Sequence, residues 1–313
     1  RAEKKHGSRG GGAVRHGLEE GDGMSRAVVL GGGGAVGIAW ESGIAAGLER
    51  RGVSLGEADV IVGTSAGSVV GAQLALGRSG EALLGSQVDQ ARRAGGDGGG
   101  AQPAPALDAS ALFELMATRP ASDEPPAEWL AEVGAFALQA ETGSEQDFIA
   151  GFGHRIGSAG TDGWPEGFAC TAIDALDGSF TTWRRDSGIE LARAVASSCA
   201  VPGVFPPITI DGRRYFDGGI RSATNGDLAK GHDTVLVIAV VTPMTDEASG
   251  ARLEAELDAL RAGGSEVALI VPDESAAATF GTNLLDGSLR DEVAEAGARQ
   301  GEQEAERLRE FWA

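Results

Sequence analysis

Only two cysteines occur in the 313 residues, Cys170 and Cys199. That scarcity excludes a disulfide framework. Cys170 falls in the strand-like run Phe168 to Ile173 and Cys199 at the apolar end of a helix, so both read as buried free thiols. Histidine is scarce too: His6, His16, His154 and His232 are the full set. No His/Cys cluster has metal-ligand spacing, and no metal or other cofactor is expected. No uninterrupted apolar run reaches the roughly 18 residues of a membrane-spanning helix. Residues 1–23 carry positive charge without the apolar stretch of a signal peptide; they are expected to form a disordered extension ahead of Met24, and the protein to be cytoplasmic. No internal repeat occurs. Basic side chains number 26 against 46 acidic ones, a net charge of −20. Such a surface disfavours nucleic acid and strongly anionic membranes.

Glycine, by contrast, is abundant, with 50 residues, and its placement carries the information. Asp59-Val60-Ile61-Val62 is short, β-branched and apolar, and reads as a buried strand. Gly63-Thr64-Ser65-Ala66-Gly67 follows, and Ala66 to Leu76 has helix formers with a stop at Gly77. Strand, sharp turn and helix turn a G-x-S-x-G string into a nucleophile elbow with Ser65 at its tip. Gly63 and Gly67 are required because the turn crowds its flanking elements.

Upstream, the strand-like Ala27 to Leu30 leads into Gly31-Gly32-Gly33-Gly34-Ala35-Val36-Gly37 and an amphipathic stretch, Ile38 to Arg50. Successive glycines at a helix N-terminus can bring bare N–H groups against an anion. Gly32 to Gly37 also fits the dinucleotide fingerprint, which calls for an acidic residue at the end of the next strand. That strand ends instead at Gly63 and Ser65, so the loop suits an oxyanion hole better than a pyrophosphate cradle. Downstream, Arg213 to Phe216 reads as a short strand entering Asp217-Gly218-Gly219, preceded by Ala196 to Pro207 with its Ser198, Cys199, Phe205 and Pro206. Asp before Gly is by itself an ordinary turn residue.

Taken in order, Gly32 to Gly37, Gly63 to Gly67 and Asp217 to Gly219 resemble the patatin-like phospholipases, as does the segment Ala196 to Pro207. The resemblance covers about residues 27–271, with a poorly matching middle. It implies a Ser–Asp dyad: Ser65 as nucleophile, Asp217 as general base, and Gly32, Gly33 and Gly34 as oxyanion donors. Gly37, Gly63, Gly67, Gly218 and Gly219 would support the turns, and Asn225 would hold the Asp217 loop. The implied reaction is hydrolysis of a lipid fatty-acyl ester, of phospholipase A or lysophospholipase type, through an acyl-enzyme. The implied partners are a lipid ester and, transiently, a membrane surface. Family members often carry a basic residue where this chain has Val36. With the net charge, this points to neutral or zwitterionic substrates. Two rivals stand beside this reading. One is an esterase triad with His232 as base and Asp217 as its orienting acid. The other is a catalytically idle lipid-binding module.

The remaining chain reads as an α/β alternation. Strands are expected at Thr234–Val240 and Glu266–Val271, and helices at Ala251–Ala262 and Arg290–Phe311. The expected fold is a mainly parallel central sheet with helices on both faces, over residues 24–313. Residues 78–150 form an insert. It has a Gly/Pro-rich linker (Gly95 to Pro105) and helical pieces near Ala109–Ala117 and Pro126–Ala140. The second piece places Trp129, Val133 and Phe136 near helical spacing, either as a packed face or as a cap over acyl chains.

Overall fold

The computed structural model of the chain describes residues 24–95, 110–120, 122, 124–156, 163–241 and 247–313. The expected extension over residues 1–23, and the linker apart from Gly95, lie outside these residues. The elements run β1 (Arg26–Leu30), α1 (Gly34–Arg50), β2 (Val60–Gly63), α2 (Ala66–Ala75), α3 (Gly80–Gly95) and α4 (Ser110–Ala117). Next come α5 (Ala127–Gln139), α6 (Glu145–Ile156), β3 (Phe168–Asp174), β4 (Phe180–Trp183), α7 (Leu191–Ser198), β5 (Ile208–Ile210) and β6 (Arg213–Asp217). The chain closes with β7 (Thr234–Ile238), α8 (Glu247–Ala262), β8 (Glu266–Ile270), α9 (Glu274–Ala277) and α10 (Arg290–Trp312).

Strands β3, β2, β1, β7 and β8 are neighbours in that order, and all four pairings are parallel. The chain winds outward from β1 through β2 to β3, and later returns to β7 on the other side of β1. Strand order therefore reverses at β1, and the C-terminal ends of β1 and β7 frame the crevice where open α/β sheets bind ligands. Strands β4 and β6 are antiparallel to β3, and β5 is antiparallel to β6.

The register along β3 decides what meets what. Strand β4 pairs with Cys170–Ile173. It thus overlaps β2, which ends opposite Cys170, and β6, which lies opposite Ala172–Asp174. A strand has only two edges, so β2 and β6 share one of them and run toward each other along it.

Alternate residues of each central strand serve opposite faces, the two-residue period of a pleated sheet. Val28, Leu30, Leu236 and Ile238 join one apolar cluster with residues of α1, α2 and α10. Ala27, Val29, Val235 and Val237 join another with Leu253, Leu257 and Leu260 of α8. Helices thus cover both faces, as expected. Helix α1 is not amphipathic, however: every residue from Val36 to Leu48 is buried, because α10 and α3 both pack against it. The approach to α10 is close. A Cβ on Gly43 would lie 2.0 Å from the Ala294 carbonyl oxygen.

Of the insert, α5 packs Trp129, Leu130 and Val133 against Ile173 and Phe216, so this face is core. The sequence reading misses α3 and α6. The first is polar and has Gly80 and Gly85; the second is interrupted by Gly151 and Gly153.

Candidate active site

Ser65 stands between β2 and α2 with φ 51° and ψ −115°. A β-carbon makes that conformation costly, and it persists only where the surroundings hold it. Its own peptide groups are clamped. The Ser65 N–H donates to Ser198 Oγ (3.0 Å), and its carbonyl accepts from Ser68 Oγ (2.6 Å) and Cys199 Sγ (3.2 Å). A Cβ on Gly67 would come within 2.1 Å of the Leu30 carbonyl oxygen, so only glycine lets α2 start this close to β1.

Asp217 closes β6 where that strand meets the end of β2. It is 4% exposed, and its Oδ1 accepts the Gly219 N–H at 2.8 Å. Burial pushes its carboxyl up to about 7, opposed by hydrogen bonds from the Ser65 side chain and the Gly219 N–H. A carboxylate with that affinity for protons can accept one near neutrality, which an ordinary aspartate does poorly. A fully buried Asn225 lies behind the pair. Its Nδ2 donates to Thr64 Oγ1 (3.0 Å), Thr171 Oγ1 (3.3 Å) and the carbonyls of Gly218 (3.3 Å) and Ser222 (2.8 Å). Its Oδ1 accepts from Arg221 at 2.8 Å. Asn225 thereby ties the residue before Ser65 to the turn after Asp217, and its φ of 50° suits asparagine. The turn is pressed tight: a Cβ on Gly218 would lie 2.3 Å from Thr171 Oγ1, and one on Gly219 3.0 Å from Asp217 Oδ1.

The glycine loop crosses over the elbow. A Cβ on Gly32 would sit 3.5 Å from Ser65 Cβ, and one on Gly37 3.1 Å from Ala66 Cβ. Gly32 does not match its expected role as donor, because its N–H already donates to the Ala223 carbonyl at 2.8 Å. The N–H groups of Gly33 and Gly34 have no backbone acceptor among the described residues. Ala66 opens α2, so its N–H has no acceptor within that helix.

The described histidines stand apart from this pair. His232 precedes β7, whose first residue pairs with Arg26, whereas Ser65 follows Gly63, which lies level with Leu30 and Ile238. At about 3.3 Å per residue, His232 is roughly 20 Å down the sheet from Ser65. Its Nδ1 lies 3.0 Å from the Ala229 carbonyl oxygen. His154 lines a different cavity from Ser65. Cys170 and Cys199 are both buried and unpaired with each other, and burial raises both thiols.

A cavity of about 650 Å³ opens over Ser65. Phe148, Phe152, Val204, Phe205 and Ile38 give it an apolar wall, with Phe148 stacked on Phe205 at 4.7 Å. The wall therefore comes from α6 and the Val204–Pro206 segment. It does not come from α5, which packs as core, the first of the two roles open to it. The sequence reading omits Phe148 and Phe152, although their i,i+4 spacing is a helical signal. It also omits Ser198 as a clamp, and Arg155 and Arg290 in the cavity lining.

A family model described as patatin-like phospholipase matches residues 28–229, more than half of the chain. No curated protein sequence matches it. Among solved structures, VipD from Legionella pneumophila is 15% identical, with a TM-score of 0.45 over 91% of this chain and 67% of that one. The type III effector protein ExoU is 17% identical, with a TM-score of 0.38 over 91% of this chain and 53% of that one. In the ExoU–SpcU complex of the type III secretion system of Pseudomonas aeruginosa the corresponding values are 17%, 0.39, 91% and 51%. The chain thus spans about half the length of the ExoU chains.

Proposed function

Since the chain belongs to the patatin-like phospholipase family, we propose that it hydrolyses lipid fatty-acyl esters with Ser65 as nucleophile and Asp217 as its base. The observation that carries this reading is the meeting of β6 with the end of β2, which sets a buried Asp217 beside the elbow of Ser65, with burial pushing that carboxyl up to about 7. Serine is a weak nucleophile unless a base takes its proton. In the first step Ser65 Oγ bonds to the ester carbonyl carbon as its proton passes to Asp217. The tetrahedral oxyanion is held by the N–H groups of Gly33, Gly34 and Ala66. Its collapse breaks the carbon–oxygen bond to the alcohol, which leaves with the proton from Asp217. Water then repeats the sequence on the acyl-enzyme, with Asp217 again as base, and releases the fatty acid. The acyl chain lies along the Phe148, Phe152 and Phe205 wall.

The test is hydrolysis of p-nitrophenyl esters across acyl lengths, together with labelling by a fluorophosphonate. Wild type is expected to turn over and to label at Ser65, while Ser65→Ala does neither. Labelling that persists in Ser65→Ala sinks the assignment.

A further inference from the structure

Besides its apolar wall, the cavity over Ser65 is lined by two arginines. Arg155 comes from the end of α6 and Arg290 from the start of α10. Among the described residues neither forms an ion pair. Arg290 is held by neutral acceptors: the Gly287 carbonyl (2.9 Å), Gln90 Oε1 (2.8 Å) and Gln87 Oε1 (3.4 Å). The Arg155 guanidinium makes no hydrogen bond there and has the Phe152 ring at 5.9 Å. In a chain with 46 acidic side chains and a net charge of −20, neighbouring cations without carboxylate partners call for an explanation.

A second cavity of about 350 Å³ adjoins the first and shares Ile38, Gly151 and Arg155 with it. Its lining is mainly polar and includes Arg78, Arg93 and His154. Arg78 too is held by neutral partners: Gln73 Oε1 (2.7 Å), Ser86 Oγ (3.1 Å) and the Arg155 carbonyl (3.1 Å). One carboxylate lines each cavity, Asp147 in the first and Asp89 in the second; neither bonds Arg155 or Arg290. Arg155 is exposed to solvent, yet desolvation by the protein atoms around it lowers its pKa. Desolvation, together with the charge of Arg155, lowers that of Arg290.

We propose that Arg155 and Arg290 form a subsite for a phosphate group carried by the acyl substrate. The acyl chain lies on the apolar wall at Ser65, and the group beyond the phosphate enters the cavity of Arg78 and Arg93. Planar guanidinium forks match phosphate oxygens bidentately, and a phosphate would restore the charge balance that the protein leaves open. The net charge and Val36 lead the sequence reading to neutral or zwitterionic substrates; a phosphate subsite agrees with the zwitterionic class, disfavours the neutral one and admits anionic esters. The inference rests on Ser65 as nucleophile only for the direction in which the substrate lies.

The test compares kcat/KM for a lysophosphatidic acid with that for the monoacylglycerol of the same chain, in wild type, Arg155→Gln and Arg290→Gln. Wild type is expected to prefer the phosphate-bearing ester. Each substitution should lower that preference about tenfold or more, chiefly through KM. Arg155→Lys should recover part of it, a rescue that a merely structural role would not produce. A preference unchanged in both glutamine variants overturns the proposal. A binding arm is independent of catalysis: inorganic phosphate should raise the melting temperature of wild type and of Ser65→Ala, and not that of Arg155→Gln/Arg290→Gln. An inert wild type that still binds phosphate through these arginines would sink the nucleophile and leave the subsite standing. Phosphate binding with no preference for the phosphate-bearing ester would mark a site for the free anion and refute the substrate.

Discussion

Replacing Asp217 by asparagine should abolish activity and, above about pH 5, make the protein more stable. Burial holds the Asp217 carboxyl near 7, whereas an unfolded chain returns it to about 3.9. Below 3.9 the group is protonated in both states and its folded environment costs nothing in charge. As pH rises, the unfolded state ionises first and gains, so the stability present at low pH is lost until the folded group also ionises near 7. Three units at about 1.36 kcal/mol each give a ceiling of about 4 kcal/mol, reached near neutrality. The amide side chain carries no charge to desolvate and can still accept the Gly219 N–H. Urea unfolding of wild type and Asp217→Asn at pH 5 and pH 7 should therefore show their difference growing by about 2.3 kcal/mol in favour of the variant. The same ionisation should appear in wild type as an acid limb in kcat/KM near pH 7, falling about tenfold per unit below it. A stability difference that is flat with pH, or one that grows in favour of wild type, would refute the reasoning.

Other outcomes follow from the geometry. His232→Ala should leave ester hydrolysis within about twofold of wild type, since ordinary surface changes stay within about 0.5 kcal/mol; a loss as deep as that of Ser65→Ala would restore the triad. Asn225→Ala removes the donor to three buried acceptors and one part-buried one, and thermal melts should show a cost of about 1–3 kcal/mol together with lower kcat; a variant as stable and active as wild type would mean that the network does not position Asp217. Gly67→Ala drives a Cβ to 2.1 Å from the Leu30 carbonyl oxygen and should cost more than about 3 kcal/mol, read as lost soluble yield; a soluble, active variant would show that α2 can retreat from β1.

What was legible in the sequence was what is local. Strands β1, β2, β7 and β8 are short apolar runs, and the elbow shows itself because a strand, two glycines and a helix are adjacent in the chain. The Ser65–Asp217 pairing was reachable only through the ordered set of motifs, since register along β3 is a tertiary fact. Gly32 shows the limit. Its N–H is spent on Ala223, a contact across most of the chain, so local glycine content could not tell a spent donor from a free one. Helix α6 was obscured by Gly151 and Gly153, and with it the aromatic wall and Arg155. A net charge of −20 averages over the whole surface and conceals a pocket of opposite sign.

The head-on meeting of β2 and β6 along one edge of β3 also governs when the reaction centre comes into existence. The elbow of Ser65 is held partly by neighbours such as Ser68 and partly by the distant Ser198 and Cys199, and its proposed base arrives only when β6, antiparallel and far along the chain, docks beside the end of β2. Contacts between such distant residues form late, because the entropy of closing the long loop between them must be overcome first. During synthesis a chain that has folded as far as β4 has neither the Ser198 and Cys199 clamps on the elbow nor Asp217 beside it. On the proposed dyad, hydrolysis therefore waits for β6, and its onset would report that this edge of the sheet has assembled.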